Sequence, residues 1–461
     1  MSSPRKPISP LASLLAVAAL AFCALSASAQ TVSTLYSFNP TGSAGFPLLV
    51  TPAQGRDGNL YGTTYGPAGT AGTVFRDDLV TGRVTELATF GANGSNPGAG
   101  LFLNTDGYYY GTTANGGAFG FGVLFKVTFG GKVTVLHNFA GGSDGAYPYA
   151  QPILASDGNL YGTTSGVSGQ STVYRLTPSG VFLTILALTD TEYIEAPILQ
   201  AQDGTLYAVS RLRGGNGAIY QMTTSGALLW TYDFPGGAGG LDPIGPLVQT
   251  ADGFLYGTTT QGGTGGGGAG NGVVFKIDAA KSVSVLAALQ DGSGAGNFPA
   301  AGLCLGTDGN LYGVTEAGGI HSGGALFQVT RSGAVTALYS FTKGSNPAAA
   351  LVQQTNGKFY GTTYSGGKYA AGSIYSLDMG LGPFISLQKY QGKVGNTVQV
   401  LGQGFTGTAS VTFNGVPAIS FAVVSDTYMT AMVPSGATTG NVVVTTPTGP
   451  LTSNKPFTVN P

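Results

Sequence analysis

Charge is scarce in this sequence. Asp, Glu, Lys and Arg make up only 8% of its 461 residues, and the formal net charge is −1. Binding to nucleic acid or to an anionic lipid surface requires a basic patch or stripe, which so few cationic side chains do not supply. We therefore expect neither nucleic acid nor a membrane surface as a partner.

Residues that bind metals or carry out catalysis are also rare. The sequence has two cysteines, Cys23 and Cys304, and two histidines, His137 and His321. Their spacing suggests no metal-ligand pair, and neither a Ser-His-Asp set nor a pair of catalytic acids can be proposed. We predict no cofactor, no metal and no catalytic residue. A non-enzymatic protein is favoured, although catalysis stays an open question.

Long apolar runs are confined to the N-terminus. Residues 1–29 have the features of an export signal: a basic start at Arg5 and Lys6, an apolar core at 11–25, and the small residues Ala27-Ser28-Ala29 before a cleavage site. The apolar core is short for a transmembrane span, and no later stretch could cross a bilayer. We expect a secreted or cell-surface protein of about 430 residues after cleavage.

Glycine is abundant, with 78 residues, and it falls at fixed places in a repeat. The motif Asp-Gly-Asn-Leu-Tyr-Gly-Thr-Thr occurs seven times with variation, beginning at Asp57, Asp106, Asp157, Asp203, Asp252, Asp308 and Asn356. A period near fifty residues with β-rich, glycine-punctuated units is typical of a β-propeller.

Each repeat predicts four strands. A first strand, such as 302–305 or 246–249, precedes the Asp-Gly pair, which favours a type I′ hairpin turn. The Leu-Tyr-Gly-Thr-Thr run is the second strand, and alternating segments such as 122–128 and 132–139 are the third and fourth. The repeated Tyr and Asp are interpreted as packing and turn residues. Cys304 takes a position that is apolar in the sibling repeats, so we interpret it as a core thiol without a disulfide partner.

The ends of the repeat region predict a closed ring. The seventh repeat has its first three strands, up to residue 378, but no fourth, and residues 33–38 nearly repeat the fourth strand of the sixth repeat at 337–341. A closed ring leaves no free sheet edges. We predict an all-β fold in which residues 30–378 form a seven-bladed β-propeller closed by the N-terminal strand.

The period stops after a short linker at 379–382. Residues 383–461 contain short alternating strands separated by turns, and such a segment predicts an immunoglobulin-like β-sandwich. The predicted strands are 397–401, 409–413, 429–433 and 441–445, and the predicted turns are at 414–415, 434–436 and 448–450.

Two family resemblances follow from these motifs. The Leu-Tyr-Gly-Thr-Thr runs, the Gly-x-x-Phe-Lys strands at 122–126 and 272–276, and Leu-Tyr-Ser-Phe at 35–38 and 338–341 resemble the GloVer-type tandem repeat family of exported bacterial proteins, which implies no established activity. Residues 398–405, 411–415 and 433–434 resemble the IPT/TIG immunoglobulin-like family. Relatives of that second family occur in DNA-binding factors and in cell-surface proteins, and the export signal favours the latter here.

One side of the predicted ring carries the long connections between second and third strands and the links between repeats. We call this side the loop face. Propellers commonly bind ligands on such a side. In a sequence with so few charges, the charged residues around the fourth repeat are notable. Asp190 and Glu195 lie near the candidate ligand-binding residues. Those candidates are Arg211, Arg213, Glu192, Tyr193, Tyr147, Tyr149, His321 and Tyr364. A local patch of surface ion pairs is the competing interpretation.

The sequence therefore predicts an exported, non-enzymatic binding or structural protein of the cell surface or extracellular space. Its partner would be a polysaccharide or another surface protein. The alternative is a carbohydrate-binding or glycan-cleaving propeller that uses the loop face. Two carboxylates converging within about 10 Å at a groove on that face would favour the glycan-cleaving form.

Overall fold

The computed structural model describes residues 30–39, 45–47, 50–66, 70–167, 170–188, 192–212, 215–264, 270–290 and 293–460. The predicted export signal at 1–29, Asp190 and Arg213 lie outside the described residues, and the side chain of Glu192 lies outside them too. The described part is nearly all β, with no α-helix and two short 3₁₀ turns at Gly142–Asp144 and Gly237–Gly239. None of its helices is long and apolar enough to span a membrane.

The described strands up to Asp378 form seven antiparallel sheets, one for each copy of the motif. Strand β1 is Thr31–Ser37, and the strands of sheets 1 to 3 are β2 (Ala53–Gln54), β3 (Leu60–Thr64), β4 (Thr73–Asp78) and β5 (Arg83–Thr89); β6 (Phe102–Leu103), β7 (Tyr109–Thr113), β8 (Val123–Val127) and β9 (Val133–Asn138); and β10 (Ile153–Leu154), β11 (Leu160–Thr164), β12 (Thr172–Leu176) and β13 (Phe182–Ala187).

Sheet 4 has five strands, and sheets 5 to 7 follow the four-stranded pattern. Their strands are β14 (Glu192–Tyr193), β15 (Leu199–Gln200), β16 (Leu206–Leu212), β17 (Ala218–Met222) and β18 (Leu228–Asp233); β19 (Val248–Gln249), β20 (Leu255–Thr259), β21 (Val273–Ile277) and β22 (Val283–Ala288); β23 (Cys304–Leu305), β24 (Leu311–Thr315), β25 (Ser322–Val329) and β26 (Val335–Thr342); and β27 (Val352–Gln353), β28 (Phe359–Thr363) and β29 (Ser373–Asp378).

The N-terminal strand supplies the fourth strand of sheet 7. Strand β1 pairs antiparallel with β29, from Thr31 opposite Asp378 to Ser37 opposite Ser373, as the sequence predicts. The register shifts between Thr34 and Tyr36, which marks a β-bulge or similar irregularity in β1, and the two strands stay paired on both sides of it. The order of sheet 7 is therefore β1-β29-β28-β27, so its outermost strand comes from the opposite end of the repeat region.

The first strand of each repeat is shorter than predicted. It spans two residues, as in β19 and β23, whereas the sequence suggests four. The reason is that the preceding backbone turns to the neighbouring sheet: the carbonyl of Ala301 accepts a hydrogen bond of 2.8 Å from Thr258 Oγ1 of sheet 5. A carbonyl that faces the next sheet does not extend the hairpin ladder of its own sheet.

These threonine bonds recur around the molecule. The first Thr of the motif donates to a carbonyl leading into the next sheet at distances of 2.6–3.2 Å, in the pairs Thr63–Ala99, Thr112–Ala150, Thr163–Ala196, Thr258–Ala301 and Thr362–Val50. The last pair joins sheet 7 to the chain entering sheet 1. Sheets 7 and 1 also contact each other through Gln54 Nε2, which donates to Thr355 Oγ1 at 2.7 Å.

The Asp-Gly turns are not of the predicted type I′, which requires positive φ at both central residues. In the first copy only Gly58 is left-handed, with φ 79°, and its N–H donates to the carbonyl of Gly55 at 3.1 Å. Asp57 keeps an ordinary backbone conformation because its carboxylate accepts the N–H of Asn59 at 3.2 Å. The glycine thus follows the turn as a single left-handed residue.

The hydrophobic core lies between the sheets, and the repeated Tyr belongs to it. Tyr61, Tyr161 and Tyr312 are fully buried, which confirms their interpretation as packing residues. Their hydroxyl groups donate to the carboxylate four residues earlier in the motif, as in Tyr61–Asp57 at 3.0 Å. The repeated Asp therefore holds both its own turn and the Tyr of the same repeat.

The C-terminal unit contains two further four-stranded sheets and one parallel pair. Its strands are β30 (Ser386–Leu387), β31 (Gln391–Gly392), β32 (Thr397–Leu401), β33 (Ser410–Phe413), β34 (Val416–Pro417), β35 (Phe421–Ser425), β36 (Tyr428–Met432), β37 (Val442–Thr446), β38 (Gly449–Thr452) and β39 (Thr458–Val459). The predicted turn at 448–450 is wrong in part, because Gly449 and Pro450 begin β38. This is an edge strand, which tolerates a proline that has no N–H to donate.

The C-terminal unit contacts the side of the repeat region that carries the Asp-Gly turns. Leu401 and Tyr428 pack in one apolar cluster with Tyr61 and Tyr109 of sheets 1 and 2. Polar contacts reach sheet 7 as well, where Thr355 Oγ1 donates to the carbonyl of Gly402 at 3.2 Å. The loop face lies on the opposite side of the sheets and is not part of this contact.

Candidate functional site

The loop-face cluster predicted from the fourth repeat begins with an extra strand. The two-residue strand β14 pairs with the end of β16, with Glu192 opposite Leu212 and Tyr193 opposite Arg211. Strand β16 is two residues longer than the equivalent strands β3 and β20. Sheet 4 therefore extends further on the loop face than sheets 1 and 5 do, and this extension carries Tyr193 and Arg211.

Arg211 is the centre of an ion-pair cluster. Its Nε and Nη2 atoms donate to the two carboxylate oxygens of Asp242 at 2.6 and 3.0 Å, and Nη1 lies 3.3 Å from Glu195 Oε2. Burial alone would lower the pKa of Arg211, but the hydrogen bond and charge of Asp242, together with Glu195, raise it. A bidentate guanidinium–carboxylate pair is among the stronger charge-assisted contacts. The cluster carries one positive and two negative charges.

Hydroxyl groups complete the cluster. Thr260 Oγ1 donates to Asp242 Oδ2 at 2.8 Å, and Ser165 Oγ lies 3.5 Å from Glu195 Oε1. Sheets 3, 4 and 5 thus each contribute a polar group around the guanidinium. Both carboxylates are already engaged by Arg211, which favours a structural or ligand-orienting role over acid–base chemistry.

Aromatic rings continue the site towards sheets 1 and 7. Phe46 stacks on Tyr65 with ring centroids 5.6 Å apart, and it meets Tyr364 edge-on at 5.0 Å. Tyr364 is 38% exposed. These three side chains come from the link into sheet 1 and from the connections between second and third strands of sheets 1 and 7.

Tyr149 lies in the link into sheet 3, on the loop face. Burial is the main reason that its pKa is raised, and the nearby Glu195 carboxylate and Tyr65 raise it further. We call the set Tyr364, Phe46, Tyr65, Tyr149, Glu195, Arg211 and Asp242 the loop-face arc.

The other predicted residues are placed as follows. Tyr147 is half-buried and meets Phe121 edge-on at 5.7 Å, on the same face as Tyr149. Tyr193 is half-buried beside Arg211 in β14. His321 lies on sheet 6, where its hydrogen bonds are with Ser340, its ring Nδ1 being 3.2 Å from that carbonyl oxygen. Of the predicted residues, Arg211 is therefore in the ion-pair cluster, Tyr364 is in the aromatic contacts of sheets 1 and 7, and His321 is bonded within sheet 6.

Sequence reasoning missed Asp242, Phe46 and Tyr65. A signal for two of them exists: the position before a proline recurs in the links, as in Phe46-Pro47, Tyr147-Pro148 and Asp242-Pro243. The position is visible in the sequence, but its proximity to Arg211 is not, because Asp242 is 31 residues away along the chain.

Other chemistry is sparse. The described residues contain no group of three or more His, Cys, Asp or Glu that could hold a metal ion. Cys304 is half-buried against the core cluster of sheets 6 and 7, and burial raises the pKa of its thiol to about 11. A thiol with so high a pKa stays protonated at neutral pH and is a poor nucleophile.

The fold and the repeated motif define a propeller-like, all-β repeat protein. The chain belongs to the Gloeobacter/Verrucomicrobia repeat family, whose model matches residues 21–214 and 193–416. The second matched range extends past the last repeat into the C-terminal unit. None of the curated proteins matches the sequence.

Solved structures resemble the chain in fold. Oligogalacturonate lyase from Vibrio parahaemolyticus has a TM-score of 0.50 at 12% identity, over 75% of this chain and 93% of that one. Periplasmic gluconolactonase from Pseudomonas aeruginosa has a TM-score of 0.48 at 19% identity, over 70% and 96%. Hydrazine synthase from Kuenenia stuttgartiensis has 0.48 at 18%, over 68% and 92%. At these identities the likeness concerns the fold alone.

Proposed function

We propose that the protein is an exported, non-enzymatic binding protein of the cell surface or extracellular space. In this proposal residues 30–378 form a seven-bladed β-propeller closed by the N-terminal strand, and residues 383–461 form an immunoglobulin-like domain of the IPT/TIG type. The pairing of β1 with β29 and the bond from Thr362 to the Val50 carbonyl support a closed ring. Closure leaves the loop face as one continuous surface on a rigid scaffold.

The observation that carries a binding role is the loop-face arc. It combines partly exposed rings, such as Tyr364, with a charge cluster on the same face, whose guanidinium is held in a fixed orientation by Asp242 and Glu195. Aromatic rings with a few fixed polar groups are typical of binding surfaces. The half-exposed guanidinium of Arg211 retains surface for a ligand.

Hydrolysis of a glycan is a weaker proposal. Two carboxylates do converge on the loop face, as the sequence-based criterion requires. However, glycoside cleavage needs one protonated acid and one free carboxylate flanking the scissile bond. Here Glu195 and Asp242 both bind the same guanidinium, at 3.3 and 2.6 Å, rather than flanking an open cleft as two separate groups.

Carbohydrate binding without cleavage is the second candidate, and the aromatic contacts of Phe46 with Tyr65 and Tyr364 favour it. Sugars present apolar C–H faces to aromatic rings and hydroxyl groups to polar neighbours. A protein partner on the cell surface is the competing ligand class.

The test uses the chain from residue 30 to 461 on an array of plant, fungal and bacterial polysaccharides. We expect retention without release of reducing ends, and weaker retention of Arg211→Ala. Arg83→Ala is the matched control, because this exposed arginine begins β5 at the opposite end of its sheet. Reducing ends released by the wild type would overturn the non-enzymatic proposal. Complete silence on the array would remove the carbohydrate candidate.

A further inference from the structure

One position of the loop face recurs in the links between sheets, always before a proline. At five of these positions the residue has a left-handed backbone, with φ between 47° and 60°: Asn96, Tyr147, Asp242, Phe298 and Asn346. The hydrogen bonds are also shared. The N–H of Tyr147 donates to the Phe121 carbonyl at 2.9 Å, and its carbonyl accepts the N–H of Ser165 at 3.1 Å.

Phe298 repeats this pattern in sheets 5 and 6. Its N–H donates to the Asn271 carbonyl at 3.0 Å, and its carbonyl accepts the N–H of Glu316 at 3.0 Å. The two bonds connect the loop of one sheet to the second strand of the next. The surrounding structure therefore imposes the left-handed conformation, whichever side chain is present.

Asparagine and aspartate tolerate this conformation because their short polar side chains bond locally, whereas a bulky side chain is strained in it. Asn96, Asp242 and Asn346 fit the backbone, and Tyr147 and Phe298 do not. The backbone therefore gives no reason for an aromatic residue at these two positions. Strain of this kind persists at binding and catalytic sites, where the side chain has another use.

Packing does not account for the two rings either. Phe298 is 37% exposed and Tyr147 is half-buried, and neither belongs to a hydrophobic cluster of the described residues. Tyr147 meets one other ring, that of Phe121, edge-on. Neither ring is therefore needed to fill a hydrophobic cluster of the described residues.

We infer that Tyr147 and Phe298 are stacking platforms for the sugar rings of a neutral polysaccharide. This rests on the proposed binding role of the loop face and names its ligand. The two platforms belong to sheets 3 and 6, so a chain ligand reaches both while a monosaccharide occupies one.

The charge next to Phe298 favours a neutral ligand over an acidic one. Arg211, on the sheet that follows the one after Tyr147, is compensated by Asp242 and Glu195. The carbonyl of Phe298 accepts the N–H of Glu316, and the side chain of Glu316 is exposed. Its carboxylate would repel an acidic polymer. Repulsion by a like charge is an effective way to exclude a ligand.

The experiment replaces each ring by the residue that the same backbone position already carries elsewhere. We would prepare Tyr147→Asn, Phe298→Asn and the double variant, and measure melting temperature and retention in affinity gels that contain soluble β-glucan, mannan or xylan. Phe129→Asn is the control: this ring is 49% exposed but lies in the turn between β8 and β9, on the opposite side.

We expect each single variant to bind the retained neutral polymer about tenfold more weakly, which is the loss typical of removing one central aromatic contact. The melting temperature should stay the same or rise, since asparagine relieves the backbone strain. The control should bind as the wild type does. Short oligosaccharides should bind far more weakly than the polymer, because two separate platforms act together.

Three outcomes would overturn the inference. Binding of the neutral polymer that persists in the double variant would show that the loop face binds without these rings, and the proposed function would stand. A clear fall in melting temperature in both single variants would make the rings structural. Preference of the wild type for alginate or polygalacturonate, or no binding to any neutral polymer, would remove the neutral polysaccharide as ligand.

Discussion

At the scale of single residues, Asp77 is an acid in a position built for an apolar side chain. It is 1% exposed in β4, and neither of its carboxylate oxygens has a hydrogen-bond partner among the described residues. The equivalent residues of the other sheets are apolar: Val127, Leu176, Met222, Ile277, Val329 and Leu377. Burial, and next the neighbouring charge of Asp78, raise the pKa of Asp77 from 3.8 to about 6.

This pKa predicts a fall in stability as the pH rises. A carboxyl group with a folded-state pKa above its unfolded value stabilises the fold fully below the unfolded value, and that stabilisation is lost as the pH rises through about 6. The loss between pH 4 and pH 7.5 is at most about 3 kcal/mol. Asp77→Leu should remove this component, so the difference in unfolding free energy between variant and wild type should grow from pH 4 to pH 7.5.

Denaturant unfolding at several pH values measures that difference. Asp426→Asn is the control, because the backbone hydrogen bond from Thr406 lowers the pKa of Asp426, so its titration falls below this pH range. Parallel pH profiles for Asp77→Leu and the wild type would contradict the prediction.

Tyr174 is a second residue whose polar group is unsatisfied. Its hydroxyl is buried without a hydrogen-bond partner among the described residues, and four sibling repeats carry Phe at that position: Phe75, Phe125, Phe275 and Phe327. Tyr174→Phe should raise the unfolding free energy by about 1 kcal/mol, since it removes an unpaired buried group and keeps the ring. Tyr161→Phe is the contrast. It should lower stability, because its hydroxyl donates to Asp157 at 2.7 Å.

At the scale of elements, the sequence predicts most strands and few of the contacts between them. Leu-Tyr-Gly-Thr-Thr marks the second strand of each sheet, and β32 is predicted to the residue, because local periodicity determines both. Strand β35 has no signal in the sequence, because its residues Phe421–Ser425 do not alternate between apolar and polar types, and all five are exposed in the structure. The loop-face arc depends on residues far apart in sequence, such as Arg211 and Asp242, and no local pattern encodes that proximity.

The N-terminal strand offers a direct test of ring closure. Phe38, which follows β1, is fully buried and packs in one cluster with Ile374 of sheet 7 and with Leu60 and Phe75 of sheet 1. Phe38→Ala should lower the unfolding free energy by about 3–5 kcal/mol, as expected for a large ring in a core. It should also expose β1 to limited proteolysis. Val32→Ala, at a half-buried position of the same strand, should cost much less.

At the scale of the whole molecule, the C-terminal unit bridges the point where sheets 7 and 1 meet. Arg56 Nη2 of sheet 1 donates to the Thr105 carbonyl of sheet 2 at 2.7 Å and to Gln388 Oε1 at 2.9 Å, and its guanidinium lies 4.4 Å from the centre of the Tyr428 ring. Gln403 Nε2 donates to Thr355 Oγ1 of sheet 7 at 3.0 Å. One unit therefore contacts both sides of the closure.

This geometry predicts that the two units unfold together and that the C-terminal unit stabilises the closed ring. Arg56→Ala removes the cation–π contact and the hydrogen bonds to Gln388, and should lower the unfolding free energy by about 1–3 kcal/mol. Calorimetry of the wild type should show one transition, and that of Arg56→Ala should show the repeat region melting earlier. Thr438→Ala, in the C-terminal unit but outside this contact, should leave the repeat region unchanged. Two separate transitions already in the wild type, with the first unaffected by Arg56→Ala, would mean that the units are merely tethered.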